Sequence, residues 1–129
     1  MRRALDALLE ASAAYVEQSQ YGVARTLHAK HTELCDALGL DAHALARVKA
    51  YPERADLARY VGAIAESEAF ALIAWEATRN ETAREARLLH ANACRGLAMS
   101  TWLGGELDRS EDYSRRAIAL YEELVPNPD

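Results

Sequence analysis

The amino-acid sequence predicts an all-α protein of about six antiparallel helices, and three observations carry that prediction. Alanine, the best helix former, is frequent, whereas aromatic residues make up only 7% of the 129 residues. Apolar side chains recur at spacings of three and four, the helical repeat, and not at the alternation of a strand. Only three prolines occur, two of them in the terminal "VPNPD", so long helical stretches are permitted. A chain of this size buries about two-thirds of its unfolded surface and needs neither disulfide nor metal, which predicts one domain over residues 1–129.

The first helix is expected over 2–18, where Leu5, Leu8, Leu9, Ser12, Tyr15 and Val16 share one face and Asp6, Glu10 and Glu17 lie elsewhere. "SQYG" interrupts it. A second helix runs from about Tyr21 to Leu38, with a stripe of Ala24, Leu27, His31, Leu34 and Leu38 and with Gly39 as a left-handed cap. Asp41 is suited to cap a short helix, "DAHALARVKA", and "YPERAD" then places Pro52 in a first helical turn, where its missing N–H costs nothing. From there to about Thr78 the only breaker is Gly62, which costs about 1 kcal/mol in a helix interior, so one long helix is expected to pass through it. Asn80 or Thr82 can cap a fifth helix that ends at Leu103 before Gly104 and Gly105, with Glu81 and Glu85 at its positive end. "DRSEDYSRRAIALYEELV" forms the last, carrying Tyr113, Ile118, Tyr121 and Leu124. Short loops between such helices imply antiparallel hairpins.

Composition narrows the function. A net charge of −5 argues against nucleic-acid binding by this chain alone, since that rests on clustered positive charge. Cys35 and Cys94 form no CxxC pattern, and reduced thiols fit a cytoplasmic protein. Asp6 and Glu10 interrupt the opening segment where a signal peptide needs an apolar core, and the longest apolar run, "AFALIAW", is far short of a membrane span. No phosphate-binding loop, dinucleotide fingerprint, nucleophile elbow or HExxH motif occurs. The chain therefore reads as non-catalytic, with no cofactor implied.

Two segments superimpose without a gap: "SAAYVEQSQYGVARTLHAKH" from Ser12 and "AMSTWLGGELDRSEDYSRRA" from Ala98. Small residues (Ser12, Ala98), loop residues (Ser19, Gly105) and small residues again (Ala24, Ser110) coincide. With Ala117 and Ile118 at packing positions, the pattern resembles a degenerate tetratricopeptide repeat, a 34-residue helix-turn-helix unit whose stacking buries a continuous core. Repeat-like hairpins are expected at about 2–39 and 82–125. The two starting points lie 86 residues apart, two and a half such units, so an irregular middle is expected over 40–80. His31 stands where that family favours alanine.

The resemblance implies a concave groove that binds a protein or peptide partner, a second copy of the chain included. Asn92, Arg95, Met99 and Trp102 share one face of the fifth helix and are the candidate partner-binding residues: Arg95 for a carboxylate, Asn92 for a peptide backbone, Met99 and Trp102 for an apolar floor. Asp6, Leu9, Ala13, Val16 and Glu17 form the corresponding surface of the first helix. The competing reading makes Met99 and Trp102 core. An adaptor or regulatory module is thus the leading expectation. A second is a bundle binding a metal or small ligand through His28, His31 and Cys35, which fall on one helical face, with His90 and Cys94 as further ligands. Burial explains those residues equally well. A third is a sensor segment serving a separate DNA-binding or catalytic chain. Phe70, Leu72, Ile73 and Trp75 read as core, the arginines at 79, 84, 87 and 95 as a solvated run interleaved with Glu76, Glu81 and Glu85, and Glu122, Glu123 and Asp129 as a solvated end.

Overall fold

Every element of the computed structural model, which describes residues 2–125, is a helix. In order these are α1 (Arg2–Glu17), α2 (Tyr21–Ala37), α3 (Leu45–Val48), α4 (Ala50–Tyr60), α5 (Ile64–Thr78), α6 (Arg84–Leu103) and α7 (Leu107–Leu124). The all-α expectation holds, with α3 a single turn that leads into α4. Lys49 keeps right-handed helical angles between them, so the chain kinks there without stopping. Pro52 supplies the cause: it has no amide hydrogen to offer the Val48 carbonyl one turn back.

Three turns share one geometry. At Ser19, Gly62 and Gly105 the backbone enters the left-handed region (φ 58°, 83° and 81°). The next residue in each turn then reaches back to the last helical turn: the amides of Gln20, Ala63 and Glu106 donate to the carbonyls of Tyr15, Ala58 and Thr101 at 2.8 Å. Ser19, Gly62 and Gly105 themselves donate to Val16, Arg59 and Trp102 at 2.9 to 3.0 Å. Both bonds together make the Schellman termination. Gly39 ends α2 the same way (φ 69°).

The three hairpin turns are 43 residues apart, and so are the positions around them. Leu5, Val48 and Ala91 are buried, as are Ser12, Ala55 and Ala98, then Ala24, Ser67 and Ser110, then His31, Ala74 and Ala117. Ser67 Oγ donates to the Ala55 carbonyl at 2.7 Å, and Ser110 Oγ, 43 residues on, donates to the Ala98 carbonyl at 2.8 Å. The fold is therefore three hairpins, α1/α2, α3–α4/α5 and α6/α7, and the 86 residues between Ser12 and Ala98 are two periods of 43. This corrects two expectations. Gly62 does not sit inside a long helix, because its positive φ lets the chain reverse and pair α4 with α5. The middle accordingly contains a regular hairpin from Ala50 to Thr78, with non-helical backbone flanking it at 38–44 and 79–83.

Other local expectations shift by a turn. Asp41 accepts the His43 amide at 2.9 Å in a turn ahead of α3, whose own N-cap is Ala44. Neither Asn80 nor Thr82 caps α6; Ala83 holds that place in extended conformation without a side-chain bond. Leu72, Ile73 and Ile118 are exposed where core was expected, whereas Phe70 and Trp75 pack against it. Arg84 donates to the Leu124 carbonyl and Arg87 pairs with Glu123 at 2.9 Å, so part of the basic run ties α6 to the end of α7. Asp129 and the two terminal prolines lie outside the described residues.

The seam between the second and third hairpins is built of small residues. A Cβ placed on Gly96 would lie 3.3 Å from that of Ala71 and 4.0 Å from that of Ala55, so α6 approaches closely, with Leu97 fully buried and Ser67 bonded to Ser100 at 2.9 Å. The seam between the first and second hairpins holds different residues at the same repeat positions. His28, His31 and Cys35 replace Ala71, Ala74 and Thr78; Glu53 and Arg54 replace Gly96 and Leu97.

Candidate functional site

Stacking three hairpins aligns their first helices, and α1, α4 and α6 together line a groove of about 490 Å³. That volume suits a side-chain cluster of a partner or a small ligand. The walls are apolar where α1 contributes Leu9, Ala13 and Val16 and where α6 contributes Leu88 and Leu89. Pro52 lies between them on α4. Polar groups converge on the same space: Lys49 from the junction before α4, Glu53 and Asp56 from α4, and Glu85, Asn92 and Arg95 from α6. The period of 43 explains the convergence, because Leu9, Pro52 and Arg95 are one repeat position, and Asp6, Lys49 and Asn92 are another.

Most of these charges are already paired. Lys49 Nζ bridges α1 to α6, 3.6 Å from Asp6 and 2.7 Å from Glu85, and these carboxylates hold its pKa above the ordinary lysine value. Asp56 accepts from Arg59 at 3.0 Å and from Arg95 at 3.4 Å. Tyr121 Oη donates to Asn92 Oδ1 at 2.5 Å, which anchors Asn92 from α7. Glu53 is the exception. It makes no hydrogen bond or ion pair among the described residues, and its Oε2 is buried without a partner. Burial, reinforced by Asp56, pushes its pKa up to about 7.

Of the four candidate partner-binding residues, Asn92 and Arg95 line the groove. Met99 and Trp102 sit one and two turns further along the same face of α6, outside the groove, and are 41% and 58% exposed. The competing reading of those two as core is thereby removed. On α1, Leu9, Ala13 and Val16 line the groove, while Asp6 reaches it through Lys49 and Glu17 does not line it. Sequence reasoning missed the α4 contribution altogether. The signal was present in the equal offsets of Ala55, Gly62 and Ser67 from Ser12, Ser19 and Ala24.

The histidine and cysteine face lies in the seam behind the groove, and the buried stripe of α2 is Ala24, His28, His31 and Cys35 in place of the expected leucines. Ser12 Oγ and His28 Nε2 share a hydrogen bond of 2.8 Å, and Cys35 Sγ approaches His31 Nδ1 at 3.7 Å. His28 Nδ1 has no partner. Burial lowers the His28 pKa to about 4, with Arg54 and His31 adding to the effect, and burial likewise lowers His31. Cys35 and Cys94 are free, buried, and raised in pKa by burial, the opposite of a reactive thiolate. His90 bonds Thr78 at 2.9 Å and lies tilted against the Trp75 ring, with centroids 5.4 Å apart. Among the described residues no group of three His, Cys, Asp or Glu side chains is placed to hold a metal ion. The Ser12–His28 pair lacks the carboxylate that would orient a catalytic imidazole, since Nδ1 is unbonded.

No helix among the described residues is long and apolar enough to cross a membrane. Comparison of the chain with protein-family models, curated proteins and solved structures gives no match.

Proposed function

We propose that the protein is a non-catalytic interaction module that binds a segment of a partner protein in the groove between α1, α4 and α6. The observation that carries this reading is the groove itself: three helices at one repeat position present apolar walls and convergent polar groups to the same space. Tetratricopeptide-like stacking would generate such a concave surface, although the period of 43 residues exceeds the 34 of that repeat by nine. On this reading its role is that of an adaptor or regulator, and two free thiols suit the cytoplasm as its setting. The exposure of Met99 and Trp102 beside the groove supports it, because aromatic and methionine side chains are favoured anchors at interfaces. Service to a separate DNA-binding or catalytic chain is a special case of this proposal, in which the partner segment belongs to that chain.

Selection from a random 12-residue display library tests the proposal. Peptides enriched on the wild-type protein should lose binding to Ala13→Trp and Leu88→Asp, which alter exposed groove positions, and keep it on Ile118→Asp, which lies on α7. Failure to enrich any peptide, or enrichment indifferent to both groove variants, would overturn the reading.

A further inference from the structure

We propose that the groove selects partner segments carrying a lysine or arginine, whose cation pairs with the otherwise unpartnered Glu53 carboxylate while neighbouring apolar residues of the segment cover Val16 and Leu88. The inference rests on the groove reading above and adds the chemistry of the occupant. Its basis is charge complementarity. Every cation bordering the groove is already engaged: Lys49 by Asp6 and Glu85, Arg59 and Arg95 by Asp56. Arg54, next in sequence, lies over the Phe70 ring at 4.4 Å and the Tyr51 ring at 5.6 Å. Glu53 alone brings a carboxylate to the site without a donor or cation. A buried acceptor left in this state is costly unless something supplies the missing partner.

Its repeat position sharpens the point. The third hairpin has Gly96 there, where a Cβ would lie 3.3 Å from that of Ala71 and 4.0 Å from that of Ala55, so this position packs tightly without a side chain. A glutamate in the middle hairpin is therefore not a packing requirement of the repeat. Its location on the groove lining, together with a proton affinity raised by burial and by Asp56, marks a carboxyl whose ionised form gains most from an incoming cation.

The test uses the peptides selected above. Those dependent on Ala13 and Leu88 should share a basic residue at a fixed distance from their apolar residues. Replacing it with norleucine should weaken binding at least tenfold to the wild-type protein and less than twofold to Glu53→Gln, a coupling that a double-mutant cycle reads directly. Binding of the basic peptide should also strengthen from pH 6 to pH 8 on the wild type and not on Glu53→Gln. Lys49, Asp56, Asp6, Glu85 and Arg95 are common to both proteins and cancel in that comparison. Groove-dependent peptides without a basic consensus, or an equal norleucine effect on both proteins, would overturn the role of Glu53 and leave the groove standing. No groove-dependent peptide at all would overturn both. Matching circular-dichroism spectra of the two proteins at pH 6 and at pH 8 exclude unfolding as the cause.

Discussion

The two seams of this molecule occupy the same positions of a 43-residue period and are filled by opposite chemistry. Between the second and third hairpins Ala55, Ala71, Gly96 and Leu97 let α5 and α6 meet closely, with serine hydroxyls bonded across the gap. Between the first and second hairpins the same positions carry Ser12, His28, Glu53 and Arg54, with unbonded atoms on His28 and Glu53. One backbone plan thus tolerates either a tight apolar seam or a wider polar one. The tight seam fixes the scaffold, while the polar seam adjoins the groove and leaves a carboxyl unsatisfied there.

Exchanging residues between the seams should expose this difference, most strongly at the tight one. Gly96→Leu inserts four carbons where even a Cβ is crowded, and it should destabilise by about 3 kcal/mol through overpacking. At the equivalent position Glu53→Leu should be neutral or stabilising in the same denaturant titration at pH 7, since it removes a buried unpaired acceptor.

Next in size is the pH dependence of the polar seam. Glu53 has its folded pKa raised to about 7 from 4.5, so its contribution is fully present below pH 4.5 and lost as pH rises through 7. Glu53→Gln should therefore stabilise by about 2 kcal/mol at pH 8, by about a quarter of that at pH 5 and by almost nothing at pH 4. His28 works in the opposite direction. Its folded pKa is lowered to about 4 from 6.5, so its contribution is present above pH 6.5 and lost as pH falls through 4. Over the shared window, pH 4.5 to 6.5, the two slopes oppose each other. His31 and His90, whose pKa values burial also lowers, add a rise of their own there, so the effect is read against the wild type: urea midpoints of Glu53→Gln should rise more steeply with pH than those of the wild type, and those of His28→Ala less steeply.

The smallest effect separates the hairpin turns. Ser19 holds a left-handed conformation that Gly62 and Gly105 adopt freely, so Ser19→Gly should stabilise by about 1 kcal/mol, and Gly105→Ser should destabilise by a similar amount. Equal melting temperatures for all three proteins would mean that the left-handed conformation costs serine nothing in these turns.

The helical class and both ends of the chain were legible in the sequence because periodic apolar stripes and glycine caps are local signals. The gapless overlay of Ser12 on Ala98 already contained the true period, since half of its offset falls on Ala55. The middle was lost because a lone glycine costs a helix so little that nothing local distinguishes Gly62 as a turn from Gly62 as an interruption. Half of the groove was readable, from Leu9, Ala13 and Val16 on α1 and Asn92 and Arg95 on α6. The remainder was not, because the α4 wall exists only once the second reversal is recognised. Glu53 was invisible for a further reason: its distinction is the lack of a partner, which is a property of packing and not of spacing.

Chemical-shift mapping with the tightest selected peptide tests the central claim most directly. Binding in the groove predicts that the amide signals of Leu9, Ala13, Val16, Leu88 and Arg95, and the methyl signals of the first four, move together at one saturating stoichiometry, with those of Leu107 and Ile118 unmoved. Shifts clustered on α7, or spread evenly over all three hairpins, would contradict it.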